Sequence, residues 1–106
     1  MPMLHRLTQR AALVARILTP DGGGGFSESW EPFATVWIGV APLGAADSVG
    51  ADHLESRVRH RIVLRRRADL AAGQRVSAGA RTFRVHAVLD PGPREFYVTL
   101  LCEELP

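Results

Sequence analysis

Six arginines fall within residues 57–67, and no acidic residue stands among them. The first three alternate with Val58, His60 and Ile62, which predicts a strand over residues 57–64 with one polar and one apolar face. Side chains two residues apart on a strand lie ~6.6 Å from each other, so this row could contact a series of phosphates or carboxylates. The alternative is an ordinary solvated face, paired with Asp69 and Glu55. The six residues are Arg57, Arg59, Arg61, Arg65, Arg66 and Arg67.

A glycine-rich segment, DGGGG at residues 21–25, is the second candidate for chemistry. Backbone N–H groups of such loops can bind phosphate. A phosphate loop of the Walker type also requires a lysine followed by serine or threonine. This segment instead continues into Phe26, Ser27 and Glu28, and the chain has no lysine. The composition therefore favours a flexible turn between two strands.

Residue types that serve enzymes and metal sites are scattered along the chain. No G-x-S-x-G segment marks a nucleophile, and the four histidines lack the i, i+4 or cysteine-rich spacing of a metal site. We therefore expect no enzyme, no metal and no cofactor. The histidines are His5, His53, His60 and His86.

The end of the chain combines one thiol with two carboxylates. Cys102 is the only cysteine and falls on a predicted strand, which favours a buried, inert thiol. The neighbouring Glu103 and Glu104 should point to opposite faces of that strand, which indicates a solvated end rather than a catalytic pair.

Size and composition indicate a folded protein. A chain of 106 residues with 46% hydrophobic and 23% charged residues is typical of one globular domain, residues 1–106. A net charge of +2 is too small to attract polyanions over the whole surface. No apolar run reaches the ~20 residues of a membrane span, and the first ten residues lack a secretory pattern. We expect cytoplasmic synthesis and no membrane partner.

Short apolar runs punctuated by glycine, proline and aspartate predict an all-β domain. Residues 33–40 read as a strand, and residues 82–89 and 96–102 alternate around the DPGP turn as a hairpin. Residues 4–18 keep helical spacing but also read as a buried strand. Residues 44–55 form a long connection whose composition permits a short helix, and we expect a mobile loop.

The order of these features resembles the phage head-tail joining protein family, also called head-tail adaptor, head-closure or stopper proteins. The resemblance spans nearly the whole chain and includes a glycine-rich turn before a tryptophan and a W-x-x-V-x-P-L segment at residues 37–43. An arginine-flanked strand, R-x-D at residues 67–69 and a terminal strand ending in C-E-E follow. The matching segments are ARILTPDGGGGFSESW, ATVWIGVAPLG, VRHRIVLRRRADL and GARTFRVHAVLDPGPREFYVTLLCEEL.

The resemblance implies a small β-barrel of about six strands with a long inserted loop at residues 44–55, and it favours the strand for the N-terminal stretch. It also implies a structural subunit of a virion or phage-like particle, from a phage, a prophage or a gene transfer agent. The expected assembly is a homo-oligomeric ring of six or twelve copies between the portal-side adaptor and the tail terminator or tail proteins. The expected channel-loop residues are Asp47, Asp52, His53 and Glu55.

In such a ring the arginines would face a neighbouring subunit or the double-stranded DNA in the channel. A conduit should contact DNA weakly and without sequence specificity, because each neutralised phosphate adds affinity. The alternative function is a monomeric nucleic-acid-binding barrel, which should place stacking aromatics beside the arginines. Against that alternative, both tryptophans and most aromatic residues lie outside residues 57–67.

Overall fold

The computed structural model describes residues 7–43 and 57–106, and every regular element in these ranges is a β-strand. The predicted all-β class is thereby confirmed. Among the described residues there is no helix long and apolar enough to cross a membrane. The strands are β1 (Gln9–Pro20), β2 (Phe26–Pro42), β3 (His60–Arg65), β4 (Arg75–Ala78), β5 (Arg81–Leu89) and β6 (Tyr97–Leu105).

The six strands close into an antiparallel barrel in the order β1-β2-β3-β6-β5-β4. Closure depends on two pairings between strands distant in sequence, β3 with β6 and β1 with β4. The β1–β4 contact is short, because it joins only residues 12–14 to residues 75–77. A closed barrel satisfies the backbone hydrogen bonds of each strand on both sides, which an open sheet cannot do at its edges.

The barrel interior holds one hydrophobic cluster with members from all six strands. These residues alternate along their strands with outward-facing ones, as the period of two requires. Phe83 is the largest fully buried side chain in the cluster. Its other fully buried members are Leu13, Ile38, Ile62, Leu64, Val76, Val98, Leu100 and Cys102.

The N-terminal stretch, which could have been a helix or a strand, is the strand β1. Ala11 and Leu13 are buried in the barrel whereas Ala12 and Val14 are only half-buried, so the period is two rather than 3.6. The predicted loop at residues 44–55, with Asp47, Asp52, His53 and Glu55, lies outside the described residues.

Two β-bulges change the predicted faces. In β2 the pairing passes from Leu13–Ala34 to Val14–Pro32, so Phe33 is an extra residue. Proline suits this position because it has no N–H to donate to a ladder. In β5 the pairing passes from Val85–Cys102 to Ala87–Leu101, so His86 is the extra residue there.

The predicted hairpin of residues 82–89 and 96–102 is confirmed as β5 and β6, but its alternation is wrong at both ends of the turn. Beyond the bulge, Val88 packs against the core whereas Leu89 is 49% exposed. Phe96, which alternation places with Val98 on the core face, lies just before β6 and is 72% exposed. The extra residue His86 reverses the faces of Val88 and Leu89, whereas Phe96 is exposed because β6 begins only at Tyr97.

Part of β1 and β2 extends beyond the barrel. Residues 15–20 and 26–31 pair with each other and, among the described residues, with no other strand. The molecule accordingly measures 56 × 29 × 28 Å along its principal axes. This two-stranded extension, residues 15–31, is called the arm below.

Candidate functional site

The arginine row lies on the outer wall of the barrel. The strand β3 begins at His60 rather than at the predicted residue 57, yet residues 57–59 continue beside β6 through the Arg59 N–H to Cys102 carbonyl hydrogen bond of 3.2 Å. Arg57 and Arg59 are exposed and Arg61 is half-buried. On the opposite face Val58, Ile62 and Leu64 are buried and His60 is half-buried. The predicted division into a polar and an apolar face therefore agrees with the structure.

Two of the six arginines hold loops in place. The guanidinium of Arg66 donates to both carboxylate oxygens of Asp90, at 2.7 Å in the Nη2 to Oδ2 bond, and to the Gly92 carbonyl. Arg67 donates to both oxygens of Asp69 at 2.9 Å. These hydrogen bonds lower the pKa of Asp90 and of Asp69. The sequence allowed Asp69 to form an ion pair with this arginine cluster, and in the structure it does so with Arg67. Arg65 is exposed at the end of β3.

Glu103 departs from the expected solvated end. It is 9% exposed, and its Oε1 accepts a hydrogen bond of 2.9 Å from Nε2 of His86. Nη1 of Arg57 lies 3.8 Å from its Oε2, and Nη1 of Arg84 lies 3.9 Å from Oε1. The hydrogen bond from His86, followed by the charges of Arg57 and Arg84, lowers the pKa of Glu103. The carboxylate is buried because basic groups surround it.

Glu104 lies on the other face of β6, as the extended backbone predicts. Arg81 donates to its two oxygens at 2.8 and 2.9 Å, and Nε2 of His60 lies 3.8 Å from Oε1. The Arg81 hydrogen bond lowers the pKa of Glu104. The His60 ring packs edge-on against Phe83, with ring centroids 5.5 Å apart. The two adjacent glutamates therefore belong to two separate ion-pair groups rather than to one acidic pair.

The glycine-rich segment is the predicted turn between β1 and β2. The carboxylate of Asp21 accepts the N–H groups of Gly23 at 2.8 Å and Gly25 at 3.1 Å, which lowers the pKa of Asp21. Gly22 and Gly24 have φ values of 83° and 86°, which side chains other than glycine rarely adopt. Two N–H groups that a phosphate would need are thus occupied by the turn's own aspartate.

Cys102 is fully buried, and burial raises the pKa of its thiol to about 12. The predicted inert thiol agrees with this, since a thiolate is the reactive form. Within residues 7–43 and 57–106 no group of three or more His, Cys, Asp or Glu side chains could hold a metal ion. Of the four histidines, His5 and His53 lie outside these ranges.

Sequence patterns did not reveal the aromatic contacts of the arm. The guanidinium of Arg75 in β4 stacks on Trp30 at 3.8 Å from the ring centroid, and Arg10 lies 5.6 Å from the ring of Trp37. Nε1 of Trp30 donates to Glu28, which also pairs with Arg16 at 2.7 Å.

The family model of the phage head completion protein matches residues 4–105. No curated protein matches the chain. Protein SF1141 of Shigella flexneri 2a, solved in solution, has a TM-score of 0.80 and 23% identity over 95% of each chain. A chain in the virion of a native gene transfer agent particle has a TM-score of 0.64 and 24% identity, covering 94% of this chain and 96% of that chain.

The two solved structures show the same fold, a closed barrel built on nearly the full length of each chain. The family match spans all six strands of that barrel and agrees with the resemblance found in the sequence. A protein that completes a phage head is a structural part of the particle. The chain therefore belongs to the phage head completion protein family and takes its place in a phage-type virion.

Proposed function

We propose that this protein forms a ring in the head-tail connector, joining the DNA-filled head to the tail and forming part of the channel that DNA crosses. The ring would contain six or twelve copies and would lie between the portal-side adaptor and the tail terminator or tail proteins. The family supports a role at the completed head, and the structurally similar chain belongs to a gene transfer agent virion.

The observation behind the proposal is the arginine row on the outer wall. Arg57 and Arg59 are exposed on a rigid, closed barrel, so each copy in a ring would present the same positive strip at the same height. Such a strip suits either the acidic surface of a neighbouring subunit or the phosphates of passing DNA. We assign the strip to the outer face of β3 and the residues just before it, which carry Arg57, Arg59, Arg61 and Arg65. Arg66 and Arg67 follow β3 and hold Asp90 and Asp69.

A conduit should not hold its DNA firmly. Contact with few phosphates per subunit gives weak, salt-sensitive binding, in the range of ~10⁻⁴ to 10⁻⁶ M for non-specific contacts. We therefore propose weak, non-specific contact with duplex DNA and no enzymatic activity. The alternative, a monomeric nucleic-acid-binding module, requires exposed aromatic side chains beside the arginines. Tyr97 pairs with Arg65 across β3 and β6 and Trp37 is 52% exposed, so the affinity of the free chain for duplex DNA decides between the two functions.

Deletion of the gene, followed by complementation, tests the proposed role. Without the protein, heads should fill with DNA but lose it, and tails should accumulate unattached. Wild-type complementation should restore tailed particles that contain the chain. Tailed, DNA-retaining particles from the deletion strain would contradict the proposal.

A further inference from the structure

The arm is a projection whose two strands pair with no other strand in the described part of the chain. Its two strands hold six residues each at ~3.3 Å per residue, which gives a length of roughly 20 Å beyond the last β1–β4 pair at Val14. A two-stranded hairpin is only marginally stable in water unless it packs against something else. The arm of the free chain is therefore expected to be only marginally stable.

One face of the arm carries large apolar side chains together with the Arg16–Glu28 ion pair. Cross-strand pairing places Arg16 opposite Trp30, Leu18 opposite Glu28 and Pro20 opposite Phe26 on this face. Leu18 is 48% exposed and Phe26 is 65% exposed. The other face has Ser27, Ser29 and Thr19 around Ile17, which is 37% exposed. We call the first the front face.

The front face has a fixed base and a free tip. At the base, Trp30 is held between the Glu28 carboxylate and the Arg75 guanidinium of the barrel. Towards the tip, Leu18 and Phe26 expose apolar surface, and the N–H and C=O groups along both outer edges of the arm have no strand partner among the described residues. Unpaired strand edges next to exposed apolar side chains are typical of a protein contact surface.

The charges of the arm and of the barrel indicate which protein binds the front face. The arm, residues 15–31, has one arginine against three acids, namely Arg16 against Asp21, Glu28 and Glu31. The rest of the chain has twelve arginines against eight acids. Two arms would repel each other, and an acidic arm would be repelled by DNA. The arm of one copy and the barrel of another attract each other.

We propose that the front face of the arm docks on the barrel of a second copy of this chain. The contact joins two different surfaces, so it is heterologous and propagates from copy to copy until a ring closes. This inference rests on the proposed ring and specifies which surface builds it. Leu18 and Phe26 supply the buried apolar contact, and the acidic arm selects the basic barrel.

Self-association of the purified full-length chain tests the contact in solution. Sedimentation velocity from about 10 μM to about 1 mM should show monomers that associate with a Kd of roughly 0.1 to 1 mM, because the contact is smaller than a standard interface. The double variant Leu18→Ser with Phe26→Ser should weaken association at least about tenfold. Ile17→Ser removes an apolar side chain from the other face and should leave the Kd of self-association within about twofold of the wild-type value. Nuclear magnetic resonance spectra check that each variant keeps the barrel.

Association should also weaken when salt is raised from about 50 mM to about 500 mM, since the screening length falls from above ~10 Å to below ~8 Å. Association that is unaffected by the double variant, or equally reduced by Ile17→Ser, would overturn the proposal. So would a chain that stays monomeric at the highest concentration.

A photo-crosslinker at position 18, with position 17 as the matched control, tests the contact in purified particles. Position 18 should yield covalent dimers and longer ladders of this chain, and position 17 should yield few. A product that joins position 18 to another particle protein would overturn the inference while leaving the proposed connector role intact. Particles without the chain would instead contradict the connector role, and the sedimentation result would still decide the arm contact.

Discussion

Nη1 of Arg57 lies 3.8 Å from Oε2 of Glu103, so the first arginine of the outer row approaches the carboxylate that also binds His86. Arg57 is 56% exposed in its side chain whereas Glu103 is 12% exposed. One basic residue thus faces both the solvent and the ion-pair group around Glu103. The row is therefore partly structural at Arg57.

The arginine row should matter for assembly more than for folding. Replacing Arg57, Arg59 and Arg61 together by serine should preserve the barrel, because exposed substitutions usually change the free energy of unfolding by less than ~0.5 kcal/mol each. The loss of Arg57 should lower this free energy, because it removes a charge near Glu103. Particles with the triple variant should leak DNA or lack tails, since a defect repeats in every copy of a ring.

The matched control is Arg10→Ser with Arg94→Ser, which removes exposed arginines outside the row. Electron microscopy and nuclease sensitivity should show normal control particles. Triple-variant particles with normal tails and retained DNA would count against the assigned row. Submicromolar binding of duplex DNA by the wild-type free chain at physiological salt would favour the nucleic-acid-binding alternative instead.

Glu103 should make stability depend on pH. Its pKa is lowered in the folded state from the usual 4.5, chiefly by the His86 hydrogen bond and then by Arg57 and Arg84. A lowered carboxyl pKa stabilises the fold above the unfolded pKa, and this stabilisation is lost as pH falls through the folded pKa. Stability should therefore fall as the solution is acidified below about pH 4.5, and less steeply in Glu103→Gln.

Urea denaturation at a series of pH values measures this slope. Glu95→Gln is the control, because Glu95 is exposed. The control should follow the wild-type slope. Identical slopes for wild type and Glu103→Gln would show that the His86 contact does not affect the ionisation of Glu103.

Cys102 should resist thiol reagents in the folded state. Its thiol is fully buried with a pKa raised to about 12, so little thiolate forms at pH 8. Modification should proceed at the rate of unfolding and become fast in denaturant. Cys102→Ser should lower the free energy of unfolding by about 1–3 kcal/mol, because a hydroxyl would be buried among apolar side chains. Rapid labelling of the native protein would contradict the buried position.

The Arg66–Asp90 pair should order the β5–β6 turn. Arg66 contacts the Asp90 carboxylate and the Gly92 carbonyl, and the Glu95 N–H donates to the same Gly92 carbonyl at 3.1 Å. Arg66→Ala should speed amide hydrogen exchange at Glu95 while leaving exchange in β3 unchanged. Arg65→Ala is the control, since Arg65 is exposed at the adjacent position. Unchanged exchange at Glu95 would show that the pair does not hold the turn.

Alternation made the strands around Ile62 and Phe83 predictable, because each has one face buried in the barrel. Strict alternation predicts the wrong faces for the residues that follow His86 in β5. A bulge is decided by pairing with a distant strand, and the local sequence of β5 contains no mark of it. The four-residue strand β4 is too short to give a periodic pattern.

The site was predictable only in outline. Six arginines in one window are visible in the sequence, but the division between surface and structural roles depends on Asp69 and Asp90, which approach through folding. The sequence indicated a solvated end at Glu103, because its partner His86 is 17 positions away in the chain. The bulge at His86 brings the two side chains together. The arm's isolation likewise follows from where β4 stops pairing with β1, at Val14.

A cryo-electron microscopy reconstruction of the purified particle tests the central claim most directly. The account predicts density for the six-stranded barrel as a closed ring between the portal side and the tail, with the β3 outer wall at a subunit boundary or at the channel. Density for this barrel outside the connector, or copies that do not form a closed ring, would contradict it.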